Sequence, residues 1–112
     1  MSQLTTHVLD TAKGKPAEGV AVILLQQQGE GWKQMSLKTT DSNGRISDLL
    51  NEEVVLEPGS YRLRFDIKSY YEFAGTPSFY PFVEITFNIS GPEHYHIPLL
   101  ISPFGFTTYR GS

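Results

Sequence analysis

A period of two runs through the chain, broken by turn-forming residues about every eight to twelve positions. Successive side chains on a strand leave opposite faces, so Tyr61, Leu63, Phe65 and Ile67 point one way while Arg62, Arg64 and Asp66 point the other. Val83 to Ile89 repeats the pattern, with Val83, Ile85, Phe87 and Ile89 inward and Glu84, Thr86 and Asn88 outward. Short strands with one wet face, at this spacing, read as an all-β sandwich or barrel. Val20 to Leu25 differs, because its six consecutive apolar residues ask for cover on both faces, at an edge, under a loop or against another subunit. The other strands are expected at Leu4–Asp10, Trp32–Thr39, Val54–Leu56, His94–Ile101 and Phe104–Thr108.

The connections carry their own chemistry. Gln28-Gly29-Glu30-Gly31 has hairpin length, Asp41-Ser42-Asn43-Gly44 supplies an Asx-type turn with a glycine for positive φ, and Pro58-Gly59 pre-sets another turn. Ser69-Tyr70-Tyr71-Glu72 reads as a capping box with Ser69 as N-cap, and Gly75 with Pro77 ends that helix within about two turns. The chain thus reads as one domain, residues 1–112, with one short helix near residues 69–75 and neither repeat nor linker.

Composition removes several classes of function. The sequence has no cysteine, which excludes disulfide scaffolds, Cys-based zinc fingers, iron–sulfur sites and cysteine nucleophiles. Nine Lys plus Arg against twelve Asp plus Glu leave a net charge of −3, and the scattered cations form no basic stripe for nucleic acid. No run approaches the roughly 20 apolar residues needed to span a bilayer. The N-terminal Met1-Ser2-Gln3-Leu4-Thr5-Thr6-His7 has neither a basic n-region nor an apolar h-region, so a cytoplasmic protein is expected.

Groups that titrate near neutral pH are then confined to three histidines. His94 and His96 share a strand face with Pro98, opposite the apolar Tyr95, Ile97, Leu99 and Ile101. His7 lies with Thr5 and Leu9, opposite Leu4, Thr6 and Val8. If the two strands are neighbours, the imidazoles converge on a face turned away from the core. His-x-His with a third histidine is also a zinc ligand pattern, and three unrelated surface histidines would do nothing. Arg45, directly after the turn glycine, is a guanidinium held on a tight turn and so a preorganised fork for a carbonyl or carboxylate oxygen, or else a solvated arginine. The turn departs from a calcium loop at Gly44-Arg45, Gly14-Lys15-Pro16 lacks the rest of a phosphate loop, and there is no Gly-x-Ser-x-Gly elbow.

Four blocks together resemble a known family. Leu4-Thr5-Thr6-His7-Val8-Leu9-Asp10-Thr11, Asp41-Ser42-Asn43-Gly44-Arg45, His94-Tyr95-His96-Ile97-Pro98-Leu99-Leu100-Ile101-Ser102-Pro103 and Tyr109-Arg110-Gly111-Ser112 resemble the 5-hydroxyisourate hydrolases, the enzymatic branch of the transthyretin-like family. The resemblance covers essentially the whole chain. It implies a transthyretin-like two-sheet β-sandwich of about eight strands, and a homotetramer, a dimer of dimers with active sites in the inter-dimer channel. It also implies metal-independent hydrolysis of 5-hydroxyisourate, without cofactor, to 2-oxo-4-hydroxy-4-carboxy-5-ureidoimidazoline. Carried over position by position, the catalytic set is His7, Arg45, His96 and Ser112. Tyr109, Arg110 and Gly111 complete the substrate pocket, and His94 receives no role. A carrier of an apolar ligand in the same channel, a zinc hydrolase and a purely structural sandwich are the competing readings.

Overall fold

The computed structural model describes residues 2–112. In chain order the elements are β1 (Leu4–Asp10), β2 (Lys15–Pro16), β3 (Ala21–Gln28), β4 (Gly31–Thr39), β5 (Arg45–Ile46), β6 (Gly59–Phe65), α1 (Ile67–Phe73), β7 (Val83–Ile89), β8 (Tyr95–Ser102) and β9 (Gly105–Thr108). They form two sheets, one of five strands ordered β2-β1-β8-β9 with β5 also paired to β1, the other of four strands ordered β4-β3-β6-β7. The alternating patterns put their apolar sets between the sheets. Leu4 and Val8 of β1 and Ile97, Leu99 and Ile101 of β8 share one core with Val22 and Leu24 of β3 and Leu63 and Phe65 of β6. Each such side chain contributes about 1.5–3 kcal/mol of burial free energy, enough to fix which face of each strand looks inward.

The register of the five-stranded sheet decides what stands on its other face. β1 runs parallel to β8, which sets Thr5 beside His96 and His7 beside Pro98, while antiparallel β5 sets Arg45 beside His7. Asp10, fully buried at the end of β1, accepts hydrogen bonds from the backbone N–H groups of Ala12 and Lys13 and from the Tyr70 hydroxyl, tying α1 to this sheet. Burial, then that hydrogen bond, pushes the Tyr70 phenol up from its ordinary value.

Three details depart from the sequence reading. The helix is capped by Asp66, whose Oδ1 accepts from the Ser69 N–H at 3.1 Å, so it starts at Ile67, earlier than a Ser69 cap implies. Asp66 and Ile67 therefore leave the strand, and Ile67 still reaches the core, from the helix. Val54–Leu56 is not a strand: the Leu56 N–H is taken by the Gln3 side chain at 2.7 Å instead of by a ladder partner. Two-residue strands β2 and β5 are too short to leave a period-two signal. The outward Ala21, Ile23 and Leu25 of β3 are half-buried, and the Arg64 guanidinium, stacked 3.7 Å over the Phe82 ring, borders the same outer cleft as Ala21 and Ile23. Among the described residues no helix is long and apolar enough to cross a membrane.

Candidate active site

The outward face of β1, β5 and β8 gathers the polar residues that the strand periodicity turns away from the core. His7 and His96 are half-buried there, while Arg45 and His94 are exposed. Arg45 is delivered by a rigid turn. Asp41 Oδ1 accepts the N–H groups of Asn43 (2.8 Å) and Arg45 (3.0 Å), Gly44 N–H returns to the Asp41 carbonyl, and Asp41 N–H bonds the Arg45 carbonyl. These donors, the Arg45 N–H first, hold the Asp41 carboxyl below the usual carboxylate range. Gly44 has φ +73°, and a Cβ there would collide with the Val8 carbonyl, so the turn can pack this closely on β1 only with glycine.

Both imidazoles are pushed toward the neutral form. Burial lowers the His7 pKa most, followed by the charge of Arg45, against smaller opposing effects of a backbone hydrogen bond at Asn43 and of the Asp41 charge. His96 is lowered by burial first, then by Arg45, His94 and His7, with a backbone hydrogen bond at Thr5 opposing. Neutral imidazoles beside a guanidinium are the state from which a base and an oxyanion clamp operate near neutral pH.

Residues 109–112 cross back to this face. The Gly111 N–H bonds the His96 carbonyl at 2.8 Å as an isolated antiparallel bridge. A Cβ on Gly111 would lie 2.7 Å from His96 Cδ2 and 3.3 Å from Pro98 Cγ, so the segment rests directly against the imidazole. Ser112 follows and is exposed, as is Tyr109. Arg110 is exposed, its guanidinium 4.4 Å from the Tyr95 ring centroid and 4.0 Å from Glu93 Oε2.

Thr5 is the member of this face that sequence reasoning missed. Its hydroxyl, on a residue only 7% exposed, lies 2.9 Å from His94 Nε2 and 2.8 Å from His96 Nδ1. Its position two residues before His7 was the available signal, but only the β1–β8 register shows that it meets both rings. A separate cleft of about 710 Å³ between α1 and the β2 region is lined by Lys13, Lys15, Tyr70 and Phe73 and by none of His7, Arg45 or His96. Among the described residues no three His, Cys, Asp or Glu side chains are grouped to hold a metal ion.

Fold and face define a class: a two-sheet β-sandwich with imidazoles and a guanidinium on the outward side of one sheet. The HIUase/Transthyretin family model matches residues 4–111. The chain belongs to that family. It is 42% identical over 112 residues to a probable 5-hydroxyisourate hydrolase of Caenorhabditis elegans, covering 99% of this chain and 82% of that one. Against the 5-hydroxyisourate hydrolase of Mus musculus it is 44% identical over 114 residues, with 99% and 96% covered. Among solved structures it superposes on the Klebsiella pneumoniae 5-hydroxyisourate hydrolase with TM-score 0.86, 38% identity and 97% and 98% coverage. Transthyretin from Sparus aurata gives TM-score 0.91 at 35% identity, with 99% and 97% covered.

Proposed function

We propose that this chain hydrolyses 5-hydroxyisourate to 2-oxo-4-hydroxy-4-carboxy-5-ureidoimidazoline, within urate degradation in the cytoplasm. The observation that carries this reading is the convergence of His7, His96 and Arg45 on one solvent-facing sheet, in a chain over 40% identical to named hydrolases of that compound. Opening a cyclic acyl C–N bond needs a base for water, a clamp for the developing oxyanion and a proton for the departing nitrogen. His7 takes the proton of the attacking water, Arg45 orients the substrate and stabilises the oxyanion, and His96 protonates the leaving nitrogen. Ser112 holds the water or a histidine, with Tyr109, Arg110 and Gly111 completing the substrate pocket. None of these steps calls on a metal or cofactor.

Residues 109–112 cross this face, with Gly111 bridged to His96. The facing wall comes from another copy, in a homotetramer built as a dimer of dimers with sites in the channel between them. A second reading, a pocket that carries an apolar ligand, has the support of likeness to a sea bream transthyretin solved in complex with thyroxine, TM-score 0.90 at 36% identity. A carrier pocket is mostly apolar, whereas this face presents two imidazoles and a guanidinium.

The test is direct: generate 5-hydroxyisourate from urate with urate oxidase, add the protein, and follow ultraviolet decay of the intermediate with and without chelator. Accelerated, chelator-insensitive decay is expected. Decay at the spontaneous rate would rule out the hydrolase, and loss of activity with chelator would point to zinc. Gly111→Ala adds a sharper check. Its methyl group must displace the His96 ring or the bridge, so kcat should fall by up to about 100-fold while thermal unfolding is nearly unchanged. Full activity in that variant would mean that residues 109–112 need not lie on His96.

A further inference from the structure

We propose that His94 and Thr5 form a proton relay that feeds His96 from solvent, an inference that rests on the hydrolase reading and gives His94 its role. The geometry that carries it is one buried hydroxyl within hydrogen-bond distance of two imidazoles, at 2.9 Å from His94 Nε2 and 2.8 Å from His96 Nδ1. The rings lie nearly parallel, 21° apart with centroids separated by 6.3 Å, and His94 is exposed whereas His96 is half-buried. Among the described residues Thr5 Oγ1 has no third hydrogen-bond partner, so its single proton goes to one ring while its lone pair accepts from the other.

The chemistry explains why such a chain is useful. A neutral imidazole that gives up its Nε2 proton becomes an imidazolate unless Nδ1 is protonated in the same event. Burial and the nearby Arg45, His94 and His7 disfavour a second proton on His96. The relay supplies it. As His96 Nε2–H passes to the leaving nitrogen, Thr5 Oγ1–H passes to His96 Nδ1, His94 Nε2–H passes to Thr5 Oγ1, and His94 Nδ1 takes a proton from solvent. Every member ends as neutral as it began, with both rings in the other tautomer. Reprotonation of His96 Nε2 by water, with the same transfers reversed, resets the chain. Thr5 and His94 act through His96 and are positioning and relay residues.

The test compares Thr5→Val, Thr5→Ser and His94→Ala with the wild type. In dilute non-imidazole buffer Thr5→Val and His94→Ala should lose about tenfold or more in kcat at nearly constant KM, while Thr5→Ser, which keeps the hydroxyl, stays close to wild type. Added imidazole should restore His94→Ala, because a diffusible base replaces a surface relay and cannot replace a structural contact. Full activity in Thr5→Val, or a His94→Ala defect indifferent to imidazole, overturns the relay. A second readout needs no turnover: 15N shifts of the His96 ring should report the Nε2–H tautomer in wild type and Thr5→Ser and a mixture of tautomers in Thr5→Val, because only a hydroxyl can donate to Nδ1. Identical 15N shifts in all three would sink the shared hydroxyl. A wild type without turnover would instead sink the hydrolase reading, and the 15N shifts would still decide whether Thr5 links the rings.

Discussion

Replacing His7 with alanine is expected to lower kcat by about 10²- to 10⁴-fold, the contribution of a positioned general base. The fold should hardly notice, because His7 is half-buried on the outward face of β1 and the apolar partners of that strand point the other way. The pH dependence carries the diagnostic. Burial and Arg45 lower the His7 pKa below 6.5, so the wild-type kcat/KM should stay level down to that value and fall only as pH drops through the lowered pKa. In His7→Ala that acid limb should vanish with the rate. His96→Ala should also be slow, through loss of the proton donor, but should keep the limb. If His7→Ala retains most of its kcat and the limb, while His96→Ala loses both, the two histidines exchange roles.

Strand alternation made the sandwich legible from the residues alone. Tyr61 to Phe65 and Val83 to Ile89 could be assigned without neighbours, because burial on one face and water on the other is a property of each strand separately. Helix α1 was legible in existence but not in its start. Asp66 continues the polar phase of the preceding strand, and only the turn of the backbone makes it the cap. The site was partly legible by the same logic. Which face His7 and His96 occupy follows from their own strands, but their proximity depends on a parallel pairing between residues about ninety positions apart, and no local pattern encodes it. Thr5 shows the cost of that gap. A threonine next to a second threonine in a strand carries no chemical signal until the register places it between two rings. Gly111 is similar, since its lack of a side chain matters only because the His96 ring lies beneath it.

Arg45→Met should be nearly as damaging as loss of the base, by about 10²- to 10³-fold in kcat/KM, the usual effect of deleting one oxyanion donor. It differs from the histidine variants in acting on both catalytic imidazoles at once. The charge of Arg45 is second only to burial in lowering both His7 and His96, so its removal should raise both pKa values toward 6.5. The acid limb of the residual activity should therefore move to higher pH. Stability should respond with the same sign. Between the lowered folded values and the ordinary value near 6.5, the unfolded chain binds protons that the folded chain resists, so the wild type loses stability as pH falls through that window. Methionine at position 45 narrows the window and should soften the loss. Arg45→Lys separates charge from geometry: an ammonium should return the limb to its wild-type position but not restore the rate, because it lacks the planar fork that grips a carbonyl oxygen and its substituents. If the limb in Arg45→Met stays where the wild type has it, burial alone tunes the histidines, and the guanidinium acts only on the substrate.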